Sequence, residues 1–356
     1  SIAQEGGIAL DLNGMNKIIN IDPEALIAVV ENGVTWEQLM VELRKYGLKT
    51  GPRPEAGPMS TVGGAVSHNG MGDGSMRYLT ASVQGDYVLG LEVVLPTGEI
   101  IKTGSWAANC PPVERGGPGP DLTGMFIGAC GTYGVITQIV LKVRPIPKVT
   151  KYLQYGFEDI PSMVRGCMKA LKDHNVASLF WIDYWAFKVW VNRELSPWNV
   201  LLTVEGDEEE ANYHEKCVRE ALEEEGGKDW GSEFVKLWFE YPTQAWLTAM
   251  RFGIWQSFGT TALHPSQTED FWRVWEKIWF EKHKWPREKS FGFGWMTRGG
   301  GTAAWCPLIL YRDDEIEEKQ RAINIGFEVI DEWVKFGILP YDQGGYNFNY
   351  ERYWSK

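Results

Sequence analysis

Glycine and tryptophan divide this sequence into two parts, and that division most constrains its fold. Only Trp36 and Trp106 precede Trp181, so sixteen of the 18 tryptophans lie in the second part. Glycine is dense up to about residue 150 and thinner beyond it. Glycine-rich backbone turns tightly and approaches a ligand closely. Indole-rich sequence needs a large core or a broad apolar surface. Two domains are expected, which also suits a length of 356 residues. The boundary is placed at Arg144-Pro145-Ile146-Pro147-Lys148, where two prolines end a strand-like run. The expected domains are residues 1–148 and 149–356.

Charge and cysteine usage exclude several classes. The net charge of −12 argues against nucleic acid or an anionic membrane as the main partner. No run of 18 apolar residues predicts a membrane span. The start, Ser1-Ile2-Ala3-Gln4-Glu5-Gly6-Gly7, lacks the pattern of a signal peptide, and a cytoplasmic location is expected. The five cysteines (Cys110, Cys130, Cys167, Cys217, Cys306) are odd in number and widely spaced. No disulfide framework, iron–sulfur ligand set or zinc site is expected from them. The five histidines show no HxxxH or HExxH spacing, so no metal is expected.

The first part reads as alternating strands and helices. Ile8–Leu12 and Ala25–Val30 are short apolar runs. Thr35-Trp36-Glu37-Gln38 fits a capping box, with Leu39, Met40 and Leu43 as the inner face of a helix ending near Gly47. Leu89–Leu95, Pro96-Thr97-Gly98 and Glu99–Thr103 predict a hairpin. Tyr133–Val143 is a β-branched run. Between these elements, Gly51–Gly74 has neither helix nor strand period, and loops this long are usually functional. In the second part, helices are predicted over Asp207–Glu225 and Glu315–Phe336. A third is predicted after a capping box at Ser266-Gln267-Thr268-Glu269, with Phe271, Val274, Trp275, Ile278 and Trp279 at helical spacing.

The loop Pro58-Met59-Ser60-Thr61-Val62-Gly63-Gly64-Ala65-Val66-Ser67-His68-Asn69-Gly70-Met71-Gly72 is the strongest candidate for chemistry. Consecutive exposed N–H groups in such a loop cradle a pyrophosphate without a cationic side chain. A tight turn with no ligand is the competing reading. The spacing fits neither GxGxxG nor a P-loop.

Three further segments follow in a set order. They are Arg77-Tyr78, then Val88-Leu89-Gly90-Leu91-Glu92-Val93-Val94-Leu95-Pro96-Thr97-Gly98-Glu99, then Pro120-Asp121-Leu122-Thr123-Gly124-Met125-Phe126-Ile127-Gly128-Ala129-Cys130-Gly131-Thr132-Tyr133-Gly134-Val135-Ile136-Thr137. Together with the loop, this set resembles the FAD-binding domain of the vanillyl-alcohol oxidase/p-cresol methylhydroxylase superfamily, which includes glycolate oxidase and D-lactate dehydrogenase flavoproteins. The resemblance covers about residues 1–150. It implies an α+β fold, with a PCMH-type FAD-binding domain of two subdomains and an α+β substrate cap. Ser1-Ile2-Ala3 resembles the residues just after the family's phosphate loop, so the first subdomain is expected to be truncated here.

By that resemblance FAD is the cofactor. Pro58, Met59, Ser60, Thr61, Val62, Gly63 and Gly64 are expected along its pyrophosphate and flavin edge, with Ser67, Asn69 and Gly70 continuing the wall. Gly131, Gly134, Val135 and Ile136 are expected at the adenosine and ribityl side. His68 faces the same loop, as a flavin neighbour or a structural histidine. The cap resembles the family less. Thr297–Leu308, with Gly299-Gly300-Gly301, loosely resembles a strand at the flavin face of p-cresol methylhydroxylase relatives, and an ordinary turn is the alternative. The tryptophans could line an apolar pocket or form core.

Tyr78 and His264 are the candidate bases, and Arg298 the candidate anchor for a carboxylate or phenolate. The leading expectation is an FAD-dependent dehydrogenase that oxidises an alcohol or 2-hydroxy acid and passes electrons to a protein subunit, an iron–sulfur protein or a cytochrome. The alternatives are a 4-alkylphenol or aromatic-alcohol oxidoreductase and a non-catalytic scaffold in a redox complex. An oligomer acting on a small-molecule substrate is expected.

Overall fold

The computed structural model describes residues 8–51, 57–70, 84–116, 119–173, 176–191, 195–240, 254–257, 260–296, 303–312, 314–338 and 340–342. The chain parts into two compact units after Ile146.

The first unit is built on an antiparallel sheet in the order β1 (Ile18–Asp22), β2 (Ile27–Glu31), β6 (Val135–Pro145), β4 (Val88–Val94), β5 (Ile100–Lys102), with β3 (Leu48–Thr50) also paired to β6. β6 is the organiser, because it pairs with β2, β3 and β4. Alternation along these strands sends Ala28, Val30, Leu91, Val93, Ile139 and Leu141 into one core. Helix α1 (Trp36–Arg44) adds Trp36, Leu39 and Leu43 to that core. Its capping box forms as expected, with Thr35 and Gln38 each accepting from the other's backbone N–H. The β4–β5 hairpin also forms, turning at Gly98 with φ +87°.

Two expectations for this unit are corrected. Ile8–Leu12 has no regular structure, and Ile8 and Leu10 are exposed; the first strand lies ten residues later, where Ile18 and Ile21 reach the core. The glycine-rich loop contains a short helix, α2 (Val62–His68). Its two internal glycines hide the helical signal, since glycine is a poor helix former. Tertiary anchors supply what propensity does not.

The second unit is built on an antiparallel sheet of nine strands among the described residues. Its centre is β9 (Trp198–Gly206), β8 (Val176–Asp183), β13 (Ser290–Met296) and β14 (Ala303–Tyr311). Trp181 and Phe180 of β8 point to opposite faces, as period two requires. Trp181 meets Trp198 and Trp305, whereas Phe180 meets Phe293, Trp295 and Trp238 of helix α7 (Glu233–Glu240). Helix α8 (Thr268–Glu276) lays Phe271 and Trp272 against Trp305, and Phe271 stacks on Trp333 of helix α9 (Ile316–Lys335) at 4.1 Å. Helix α4 (Ile160–Asp173) packs against α6 (Glu208–Glu223) and α8. The predicted helices at 207–225 and 315–336 are these α6 and α9. The capping box before α8 is shifted, formed by His264 and Gln267 rather than Ser266 and Glu269.

The tryptophans act mainly as core. Trp181, Trp238, Trp275, Trp279, Trp305 and Trp333 are fully buried. Gly292 of β13 makes room for the neighbouring rings, since a Cβ there would lie 2.7 Å from the Trp272 ring. No described helix is long and apolar enough to cross a membrane.

Candidate functional site

The two glycine-rich segments of the first unit meet across α2. At its start, Thr61 takes the N–H of Gly64 at 3.1 Å. Val62 N–H donates to the Val34 carbonyl at 2.8 Å, Gly63 N–H to Asn32 at 2.9 Å and Ala65 N–H to Thr61 at 3.0 Å. Each of the first four N–H groups of the helix therefore has a protein acceptor. The donors open to a ligand lie upstream, because the N–H groups of Met59, Ser60 and Thr61 have no acceptor among the described residues.

Asn32 fixes this start to the beginning of β6. It is buried, it accepts from Gly63, and its Nδ2 donates to the Ile136 carbonyl at 2.7 Å. A buried amide with these partners satisfied is a rigid spacer. The far end of α2 is fixed to the turn before β6. Gly128 N–H donates to Val66 at 3.2 Å and Cys130 N–H to Ser67 at 2.9 Å. Asn69 ends the helix in the left-handed region with φ 55°, and its Oδ1 accepts from Gly85 N–H at 3.0 Å. Cys130 is also left-handed, with φ 51°, between Gly128 and Gly131.

Behind this wall, Arg115 donates from Nη1 to the Gly85 carbonyl and from Nε to Asp121, both at 2.8 Å. Asp121 in turn caps helix α3 (Leu122–Phe126) through Gly124 N–H at 3.0 Å. Burial works against ionisation of Asp121, but Arg115 and the N–H of Gly124 hold its carboxyl below the usual range. Asp86 is different. Its buried Oδ2 has no hydrogen-bond partner among the described residues, and burial raises its carboxyl, partly offset by Arg115 and Lys142.

The fourteen expected cofactor residues fall into two groups. Pro58, Met59, Gly64 and Gly131 are exposed, while Ser60, Thr61, Ser67, Asn69, Gly70 and Val135 are half-buried. Val62, Gly63, Gly134 and Ile136 are buried. Val62 and Ile136 sit in the core. A Cβ on Gly63 would lie 2.1 Å from the Asn32 amide, and one on Gly134 would lie 2.6 Å from Val93 and 2.9 Å from the Val94 carbonyl. Close packing thus requires both glycines, and these four residues support the wall from behind. The exposed His68 is the last residue of α2.

Of the catalytic candidates, Tyr78 and Arg298 lie outside the described residues, as do Gly299, Gly300 and Gly301. Ala303–Leu308 runs along β14. His264 is exposed and caps a short 3-10 turn, with Nδ1 2.8 Å from Ser266 Oγ and accepting Ser266 N–H at 3.2 Å. That geometry gives His264 a capping role. Sequence reasoning missed Asn32, Gly85 and Arg115. Their partners lie far along the chain, with 104 residues between Asn32 and Ile136 and 30 between Gly85 and Arg115.

The residues present fit an extended dinucleotide. Free N–H groups at 59–61 suit a pyrophosphate. Gly131 is exposed at φ +80° with open space where a Cβ would stand, so a ligand can lie against its backbone.

This fold and its joined turns are those of an FAD-binding domain, and the comparisons with known proteins place the likeness in the first unit. A family described as an FAD binding domain matches residues 1–104. Among curated relatives, the chain is 38% identical over 156 residues to the glycolate oxidase subunit GlcD of Bacillus subtilis, covering 44% of this chain and 31% of that protein. It is 36% identical over 159 residues to D-lactate dehydrogenase of Anaerostipes hadrus, covering 45% and 31%. The chain thus spans about a third of the length of these relatives. Among solved structures, p-cresol methylhydroxylase with substrate bound aligns with a TM-score of 0.77 at 20% identity, over 94% of this chain and 72% of that one. At that identity the likeness establishes fold.

Proposed function

We propose that this chain is part of an FAD-dependent oxidoreductase that oxidises the CH–OH group of an alcohol or 2-hydroxy acid and passes the electrons to a protein partner. One observation supports it above the others. The two glycine-rich segments, separate in sequence, are locked into one wall by Asn32, Gly128 and Cys130.

When bound, FAD supplies the hydride acceptor, its ring N5. The chain's own residues bind and orient it. The N–H groups of Met59, Ser60 and Thr61 take the pyrophosphate. Exposed Gly64 and Gly131 let the cofactor lie against backbone, and Ser67, Asn69 and Gly70 continue the contact surface. Val62, Gly63, Gly134 and Ile136 hold that surface rigid from the core side. A rigid wall would fix the cofactor's orientation, which transfer between positioned groups requires.

A second reading is a 4-alkylphenol oxidoreductase. The likeness to p-cresol methylhydroxylase, which extends over both units, favours it. The relatives of higher identity favour the hydroxy-acid reading within the first unit.

The test is an absorption spectrum of the full chain, purified with its native partners, before and after acid precipitation. Released yellow FAD, bleached by a 2-hydroxy acid, is the expected outcome. Colour retained in the pellet and bleaching by an alkylphenol move the assignment to the second reading. A colourless chain that takes up no added FAD leaves only a scaffold role.

A further inference from the structure

Three stretches that are distant in sequence close into one hydrogen-bonded ring behind the candidate FAD wall. Asn69 accepts from Gly85 N–H at 3.0 Å, and the Gly85 carbonyl accepts from Arg115 Nη1 at 2.8 Å. Arg115 Nε and Nη2 both reach Asp121 Oδ2 at 2.8 Å, and Asp121 Oδ1 holds Gly124 N–H at 3.0 Å. Helix α3 then runs to Gly128, whose N–H returns to Val66 of α2 at 3.2 Å. Within that ring Gly85 is close-packed, since a Cβ there would stand 2.4 Å from Ile127 and 2.6 Å from Asn69 Oδ1.

We infer that Arg115 is a positioning residue for the cofactor, setting the spacing between the Asn69 end of α2 and the Gly128–Gly131 turn. This inference rests on the FAD reading above. Its chemistry favours arginine specifically. One planar guanidinium must serve a carbonyl and a carboxylate in diverging directions, which a lysine ammonium on a flexible stem does not reproduce. The Arg115–Asp121 pair is partly exposed, at 29% and 44% of the side chains, so it adds little to global stability. Its effect is therefore local.

Arg115→Lys and Arg115→Met in the full chain test this by amide hydrogen exchange and by FAD titration. The expected result is about tenfold faster exchange at Gly85, Gly128 and Cys130, with sheet amides such as Val140 unchanged. FAD affinity should fall by about tenfold in parallel. Should Arg115→Met not fold, Arg115→Lys decides alone. Unchanged exchange at the three amides overturns the inference. Uniform acceleration at every amide does too, because it marks a general structural role. So does local acceleration with FAD affinity intact. If the unaltered chain takes up no FAD, the functional reading fails and the positioning role falls with it, while the exchange data still show whether Arg115 closes the ring.

Discussion

Two glycines that look alike in the sequence do different work. Gly63 and Gly64 are adjacent, yet the first is packed against Asn32 and the second is exposed. Gly63→Ala forces a Cβ into a buried amide, and a loss of ~1–3 kcal/mol in a denaturant titration is expected. Gly134→Ala meets a backbone carbonyl as well as Val93 and should cost a similar amount. If either variant keeps full stability, the packing account of that glycine is wrong. The sequence marks these positions as unusual but not why. Both clashes involve residues on other strands or loops, and a local pattern carries no record of them. Thr35 and Gln38 were legible because capping is local, three residues apart. Arg115 was not legible, because its partners are set by where α3 and the turn at Gly85 come to rest.

At the scale of elements, α2 is the informative case. Seven residues with two glycines do not hold a helix in isolation. Its order comes from Thr61 at one end, Asn69 at the other and the contacts of Val62 and Val66 with the core. Thr61→Ala should therefore cost about 1 kcal/mol. It should weaken FAD binding more than it lowers the melting temperature, because the lost cap lies in the wall itself. Equal loss in both would mean that α2 is merely a stability element. The missed helix and the misplaced first strand share a cause. In both, tertiary contacts override local composition. Ile8 and Leu10 are apolar but stay exposed among the described residues, whereas Ile18 and Ile21 pack on the core.

Across the whole molecule, the tryptophan asymmetry becomes an instrument. All but two of the tryptophans lie in the second unit, so indole fluorescence reports chiefly on its unfolding. That unit holds a buried acid, Asp183, which accepts Ala186 N–H at 2.8 Å and Gly292 N–H at 2.9 Å, with Arg287 at 3.4 Å. Burial pushes the Asp183 carboxyl up to about 6, only partly opposed by Arg287 and the two N–H groups. In the unfolded chain this carboxyl titrates near 3.9, so between the two values the folded state holds the extra proton. Stability from this group therefore rises as pH falls from 7 toward 4, by up to ~3 kcal/mol. Asp183→Asn should remove that increment, read as the difference in denaturation midpoint between the two proteins across this range. Parallel pH profiles would exclude the effect.

The link from Asn32 to Ile136 also has a consequence for synthesis. A chain leaving the ribosome exposes the Pro58–Gly64 segment long before its partner strand exists. The wall closes only after residue 136 has emerged and β6 has slotted between β2 and β4, a long-range closure that comes late in folding. On the proposed function, cofactor capture is thus a late event in the birth of this unit. A nascent chain stalled short of β6 would be unable to hold the dinucleotide, however complete its glycine loop.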